Sequence, residues 1–129
     1  MSEAVVNELI ELNRRLLKAI ATGDWNMYEE LCDPSLSAFE PEARGHLVEG
    51  IQFHRFYFDL GVADVPQNTT ISNPKVRLLG DVAVVTYTRL WQRQDDQGRP
   101  TTLVFEETRI WHRQDAGWRH VHFHRSANR

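Results

Sequence analysis

The sequence predicts an α+β domain in which N-terminal helices pack into a strongly curved antiparallel sheet. Two observations carry this. Through Phe58 the apolar residues recur at spacings of three and four, the repeat of an amphipathic helix. From Asn68 onward Val, Ile, Thr and aromatics dominate, apolar positions recur in steps of two, and the segments are joined by short turns. A chain of 129 residues with 41% hydrophobic and 26% charged residues is one domain, 1–129, with enough apolar side chains for a core.

Each element has its own signal. Val5, Leu9, Leu12, Leu16 and Ile20 draw one stripe down a first helix, widened by Val6, Ile10 and Leu17. Gly23 ends it, and Asp24 is placed to cap a short second helix through Trp25, Tyr28, Leu31 and Cys32. Asp33-Pro34 stops that helix, because the residue before proline is disfavoured in the helical region. A short extended piece from Leu36 to Glu40 and a loop with Pro41 and Gly45 follow. A third helix is expected over about His46 to Phe58, with Leu47, Ile51, His54 and Phe58 facing inward. A loop from Asp59 to Gln67 leads to strands near Asn68–Leu79, Val82–Gln94, Thr101–Gln114 and Trp118–Ser126. Asn73-Pro74 predicts a bulge or bend in the first of these.

Side chains alternate across a strand, so each of the last three strands carries an arginine on its apolar face. Arg89 falls between Tyr87 and Trp91, Arg109 between Glu107 and Trp111, and Arg125 follows Val121 and Phe123. A buried guanidinium without a partner is very costly and cannot shed its proton. In a cone-shaped fold the concave face of the sheet looks at the third helix, so His54 and the three arginines are expected to line one cavity. Glu107 shares a face with Arg109 and is a partial counterion; Glu40 or Glu42 could enter from the mouth. One acid cannot neutralise three guanidiniums, and the cluster therefore points to a site for a small anion, with bidentate arginine–carboxylate geometry as its basis.

Other classes find less support. The net charge of −3 lacks any basic run outside the strands, the apolar stretches fall short of a membrane span, and the N-terminus is acidic. No nucleic-acid or membrane partner is expected, and the default location is cytoplasmic. Cys32 has no partner for an intrachain disulfide and reads as a core residue. His120, His122 and His124 alternate on the last strand, and are expected on the convex face as a surface or interface array, with no metal site. Val104, Thr108 and Ile110 on that same face suggest an association surface and at least a homodimer. An alternative is a small isomerase or dehydratase using Tyr87 as donor and Glu107 as base. The adjacent arginines favour an ionised, weakly basic Glu107, so whether the chain is an enzyme stays open, leaning against. No cofactor is expected.

Several motifs carry a family resemblance: FEPEARGHLVEGIQFHRFYF (Phe39 to Phe58), TTISNP (Thr69 to Pro74), EETRIWHRQD (Glu106 to Asp115) and VHFHRS (Val121 to Ser126). In order and spacing they resemble the association, or hub, domain of calcium/calmodulin-dependent protein kinase II, a nuclear-transport-factor-2-like (SnoaL-like) superfamily member related to ketosteroid isomerases and polyketide cyclases. The resemblance implies the cone-shaped fold, self-association through the sheet, and a deep pocket for carboxylate-bearing small molecules. It assigns that pocket His54, Arg89, Arg109 and Arg125, the same set the strand pattern gives; Tyr87 and Glu107, inward on the same strands, are expected to join them as ligand-binding residues. The segment DLGVADVPQ after Phe58 is shorter than the family's tryptophan-bearing loop. With no kinase domain or calmodulin-binding segment in the sequence, neither kinase activity nor calmodulin binding is expected, and the chain reads as a free-standing, bacterial-type relative.

Overall fold

Gly23 ends the first helix, α1 (Glu3–Thr22), by taking the left-handed conformation at φ 69° that its missing Cβ permits. The side chain of Asp24 accepts a hydrogen bond from the Met27 N–H and starts α2 (Trp25–Leu31). The computed structural model describes residues 2–62 and 64–128. After α2 the chain runs through β1 (Cys32–Phe39), a 3₁₀ turn (Pro41–Ala43), β2 (Val48–Glu49) and α3 (Gln52–Leu60). Four long strands complete it: β3 (Asn68–Leu79), β4 (Val82–Gln94), β5 (Pro100–Gln114) and β6 (Gly117–Asn128). The four follow the predicted boundaries to within a residue or two, because long half-buried strands have an unambiguous period.

The six strands form one curved open sheet in the order β2-β1-β6-β5-β4-β3. All neighbours are antiparallel except β1 and β6, which run parallel. The helices lie against the concave face, where Leu9 and Leu16 of α1, Tyr28 of α2, Val85 of β4 and Trp111 of β5 are almost wholly buried. No helix among the described residues is long and apolar enough to cross a membrane.

Three local expectations are corrected. The third helix begins at Gln52 rather than His46, because Gly50 sits at φ 82° and Val48–Glu49 pair with Ser37–Ala38 as β2. Leu47, expected in the core, is therefore exposed. The extended piece before it is longer than predicted and starts at Cys32, since β1 takes Asp33-Pro34 into a strand that pairs with β6 only around that dipeptide. The third concerns β6. Its register slips so that Arg109 opposes Phe123 while Trp111 opposes His120, which places one extra residue in β6. His120 consequently turns inward and is fully buried, whereas His122 and His124 keep the outer face. At Ser72–Lys75 the predicted irregularity is present, with Asn73 at φ 53°.

Candidate functional site

The register of the central strands decides where the charges meet. Tyr87, Glu107 and Arg125 form one row across β4, β5 and β6; Val85, Arg109 and Phe123 form the next; Arg89 and Phe105 form a third. Glu107 is thus surrounded by arginines on its own and neighbouring strands. Its side chain is fully buried, as nearly is that of Arg109. Arg109 donates to Glu107 Oε1 from Nη2 at 2.9 Å and from Nε at 3.0 Å. The Tyr87 hydroxyl donates to the same oxygen at 2.5 Å and accepts from Arg109 Nε at 2.9 Å. Arg89 Nε lies 3.0 Å from Glu107 Oε2, an ionic contact in which the N–H is not aligned for a hydrogen bond.

These contacts fix the protonation states. Burial alone would raise the Glu107 carboxyl, but the Arg109 and Arg89 guanidiniums hold it below its usual range. Burial pushes the Tyr87 phenol up to about 12. Burial lowers Arg109, yet the contacts with Tyr87 and Glu107 outweigh it and secure the positive charge. Glu107 is a weak base, as the arginine-rich strand pattern predicts.

A cavity of about 400 Å³ opens between α3, the end of α1 and the concave sheet. His54, Arg89, Arg109 and Arg125 all line it, four of the six ligand-binding residues expected from the sequence. The other two, Tyr87 and Glu107, are corrected: they do not line it but stand behind it, because their side chains are taken up in anchoring Arg109 and Arg89. Aromatic faces support the guanidiniums: Arg109 lies 4.4 Å from the Phe123 ring centroid, and Arg89 and Arg125 each 4.9 Å from that of Phe105.

Two more acids enter from the segment after β1. Glu40 accepts from His54 Nε2 at 3.0 Å, and both carboxylate oxygens of Glu42 contact Arg125 Nη2. Charge balancing by protein carboxylates thus accounts for part of the cluster. It leaves Arg109 Nη1 and His54 Nδ1 buried with no hydrogen-bond partner among the described residues. A buried guanidinium donor such as Arg109 Nη1 is costly unless something accepts from it.

The reading from sequence missed Tyr28, which lines the cavity from α2. Its only signal was an inward position on a short apolar stripe, shared by any core aromatic. It also missed a buried pair beneath the cavity: Cys32 Sγ lies 3.5 Å from His120 Nδ1. Burial pushes the Cys32 thiol up to about 12 and lowers the His120 imidazole, so both are neutral. This is core chemistry, not an activated nucleophile.

Comparison with known proteins bears on the family and the fold. A family model described as the calcium/calmodulin dependent protein kinase II association domain matches residues 6–129. The delta subunit of calcium/calmodulin-dependent protein kinase type II from Oryctolagus cuniculus is 51% identical over 124 residues, 94% of this chain and 23% of that protein. The chain spans about a quarter of the length of the curated relatives it matches. The hub homology domain of the Chlamydomonas reinhardtii kinase superposes with a TM-score of 0.91 at 46% identity, covering 97% of this chain and 99% of that one. A nuclear transport factor 2-like superfamily protein from Salmonella enterica shares the fold, with a TM-score of 0.80 at 21% identity over 100% of this chain and 94% of that one.

Proposed function

This chain belongs to the calcium/calmodulin dependent protein kinase II association domain family, and from that premise we propose that it is a self-associating domain whose arginine-lined cavity binds a small carboxylate. The carrying observation is Arg109: buried, permanently charged, lining the cavity, and left with an Nη1 donor that no group among the described residues satisfies. A carboxylate is the anion that matches guanidinium donors in plane and spacing. The apolar wall from Phe58, Trp91 and Phe123 suits a hydrocarbon body behind the acid. Self-association is supported by the family and by the outer face of the sheet, where Val104 and Ile110 remain partly exposed. In this reading the domain is cytoplasmic and contributes no phosphoryl transfer or calmodulin site of its own. Catalysis by Tyr87 and Glu107 is the weaker reading, because they sit behind the wall of this cavity and two arginines hold the carboxylate ionised.

Thermal denaturation with and without millimolar butyrate tests the pocket. The expected result is a rise in Tm for the unaltered protein that is absent in Arg109→Ala and in the less buried Arg125→Ala. No rise in the unaltered protein would overturn the carboxylate site. Light scattering tests association, and the mass of a single chain at micromolar concentration would refute it.

A further inference from the structure

We propose that Glu42 is a resident carboxylate on Arg125, with which the anion of the cavity must compete, so that Glu42 sets the affinity of the site and its preference for monoanions. The proposal rests on the reading of the cavity as a carboxylate site.

Two carboxylates hold the three arginines, and they differ in how they are held. Glu107 is fully buried among Tyr87, Arg89 and Arg109. The Glu42 side chain is 36% exposed and among the described residues its only hydrogen bonds and ion pair are with Arg125, whose side chain is 14% exposed. Both Glu42 oxygens meet a single nitrogen, Nη2, while the other Arg125 N–H groups make no hydrogen bond among the described residues. The pair is therefore not the two-bond fork that a carboxylate forms with a guanidinium edge, and an incoming acid gains that fork only by taking Nη2 from Glu42.

The backbone permits the exchange. Glu42 rides on the 3₁₀ turn Pro41–Ala43, none of whose residues is buried. The turn is followed by Arg44 at φ 54° and Gly45 at φ 91°, outside any strand, and a Cβ on Gly45 would meet no atom within 4 Å. On the other side the segment is fixed, because the buried Glu40 is held by His54 at 3.0 Å. Glu42 is thus a tethered acid that swings from Arg125 into solvent and back. Exposed ion pairs are weak, so displacement lowers ligand affinity by a modest factor. A displaced Glu42 stays close to the mouth, where a second acid group on the ligand meets its charge.

The test is titration calorimetry with benzoate and with isophthalate, which adds one carboxylate to the same ring. Glu42→Gln is expected to tighten benzoate by about three- to fivefold and isophthalate by more, while Glu42→Asp keeps the discrimination of the unaltered protein. Equal benzoate affinity in the unaltered protein and Glu42→Gln, or weaker binding by the variant, overturns the proposal and leaves the carboxylate site standing. Absence of benzoate binding from both proteins overturns the carboxylate site, and the role of Glu42 with it. Urea midpoints within error of each other establish that both fold alike.

Discussion

Glu107 and Arg125 stand directly opposite each other on β5 and β6, yet they form no ion pair. Arg125 turns to Glu42 at the mouth, and Glu107 is shared between Arg109 on its own strand and Arg89 on β4. The division splits the cluster into a fixed inner part and an adjustable outer part.

The inner part is expected to be essential to stability. Glu107→Gln leaves two buried guanidiniums with no counter-charge and should cost about 3–5 kcal/mol. Urea denaturation measures this; a loss below about 1 kcal/mol would mean that another acid or water takes over the role of Glu107.

Stability should fall as the solution is acidified, in two stages. The His120 imidazole is lowered, first by burial and then by Arg109, His54 and His122. The unfolded chain therefore takes up a proton below about 6.5 that the folded chain refuses, and stability present above that pH is lost as pH falls. Glu107, also lowered, adds a second loss below its ordinary value of 4.5. Each group contributes a slope of at most about 1.4 kcal/mol per pH unit. Urea titrations at pH 7.5, 6 and 5 should show this slope, and His120→Gln should flatten it; an unchanged slope would remove His120 from the explanation.

Cys32 should be inert in the folded protein. The thiol has no exposed surface and is pushed up to about 12. A disulfide reagent at pH 8 is expected to react with about one thiol per chain in guanidinium chloride and with almost none in buffer, and rapid native labelling would contradict the burial.

Asn73 holds a left-handed conformation at φ 53° in the β3 bulge. Asn73→Gly should be close to neutral, whereas Asn73→Val should lose about 1–2 kcal/mol, read from thermal or urea unfolding. A valine variant as stable as the parent would show that the bulge relaxes.

Much of the fold was legible because strand period is strict. Arg89, Arg109 and Arg125 could be placed on the inner face by counting in twos, and His54 faced them by counting in threes and fours. The failures lie where counting breaks. One extra residue in β6 reversed His120 but left Phe123 and Arg125 in place. The four-residue spacing from Leu47 to Ile51 imitated a helix across a segment that Gly50 bends into β2. Which acid pairs with which arginine depends on contacts between residues 83 positions apart, Glu42 and Arg125, and no local pattern encodes that choice.

The parallel pairing of β1 with β6 has a consequence for synthesis on the ribosome. β6 lies in the middle of the sheet, so β2-β1 and β5-β4-β3 are separate pieces until it arrives. An emerging chain can wind its helices and close the β3–β5 meander early, but residues 117–128 must be translated before these pieces join. Phe123 and Arg125 belong to that stretch and complete the cavity wall. The carboxylate binding proposed for the cavity would therefore begin in a nascent chain only once its sheet has closed.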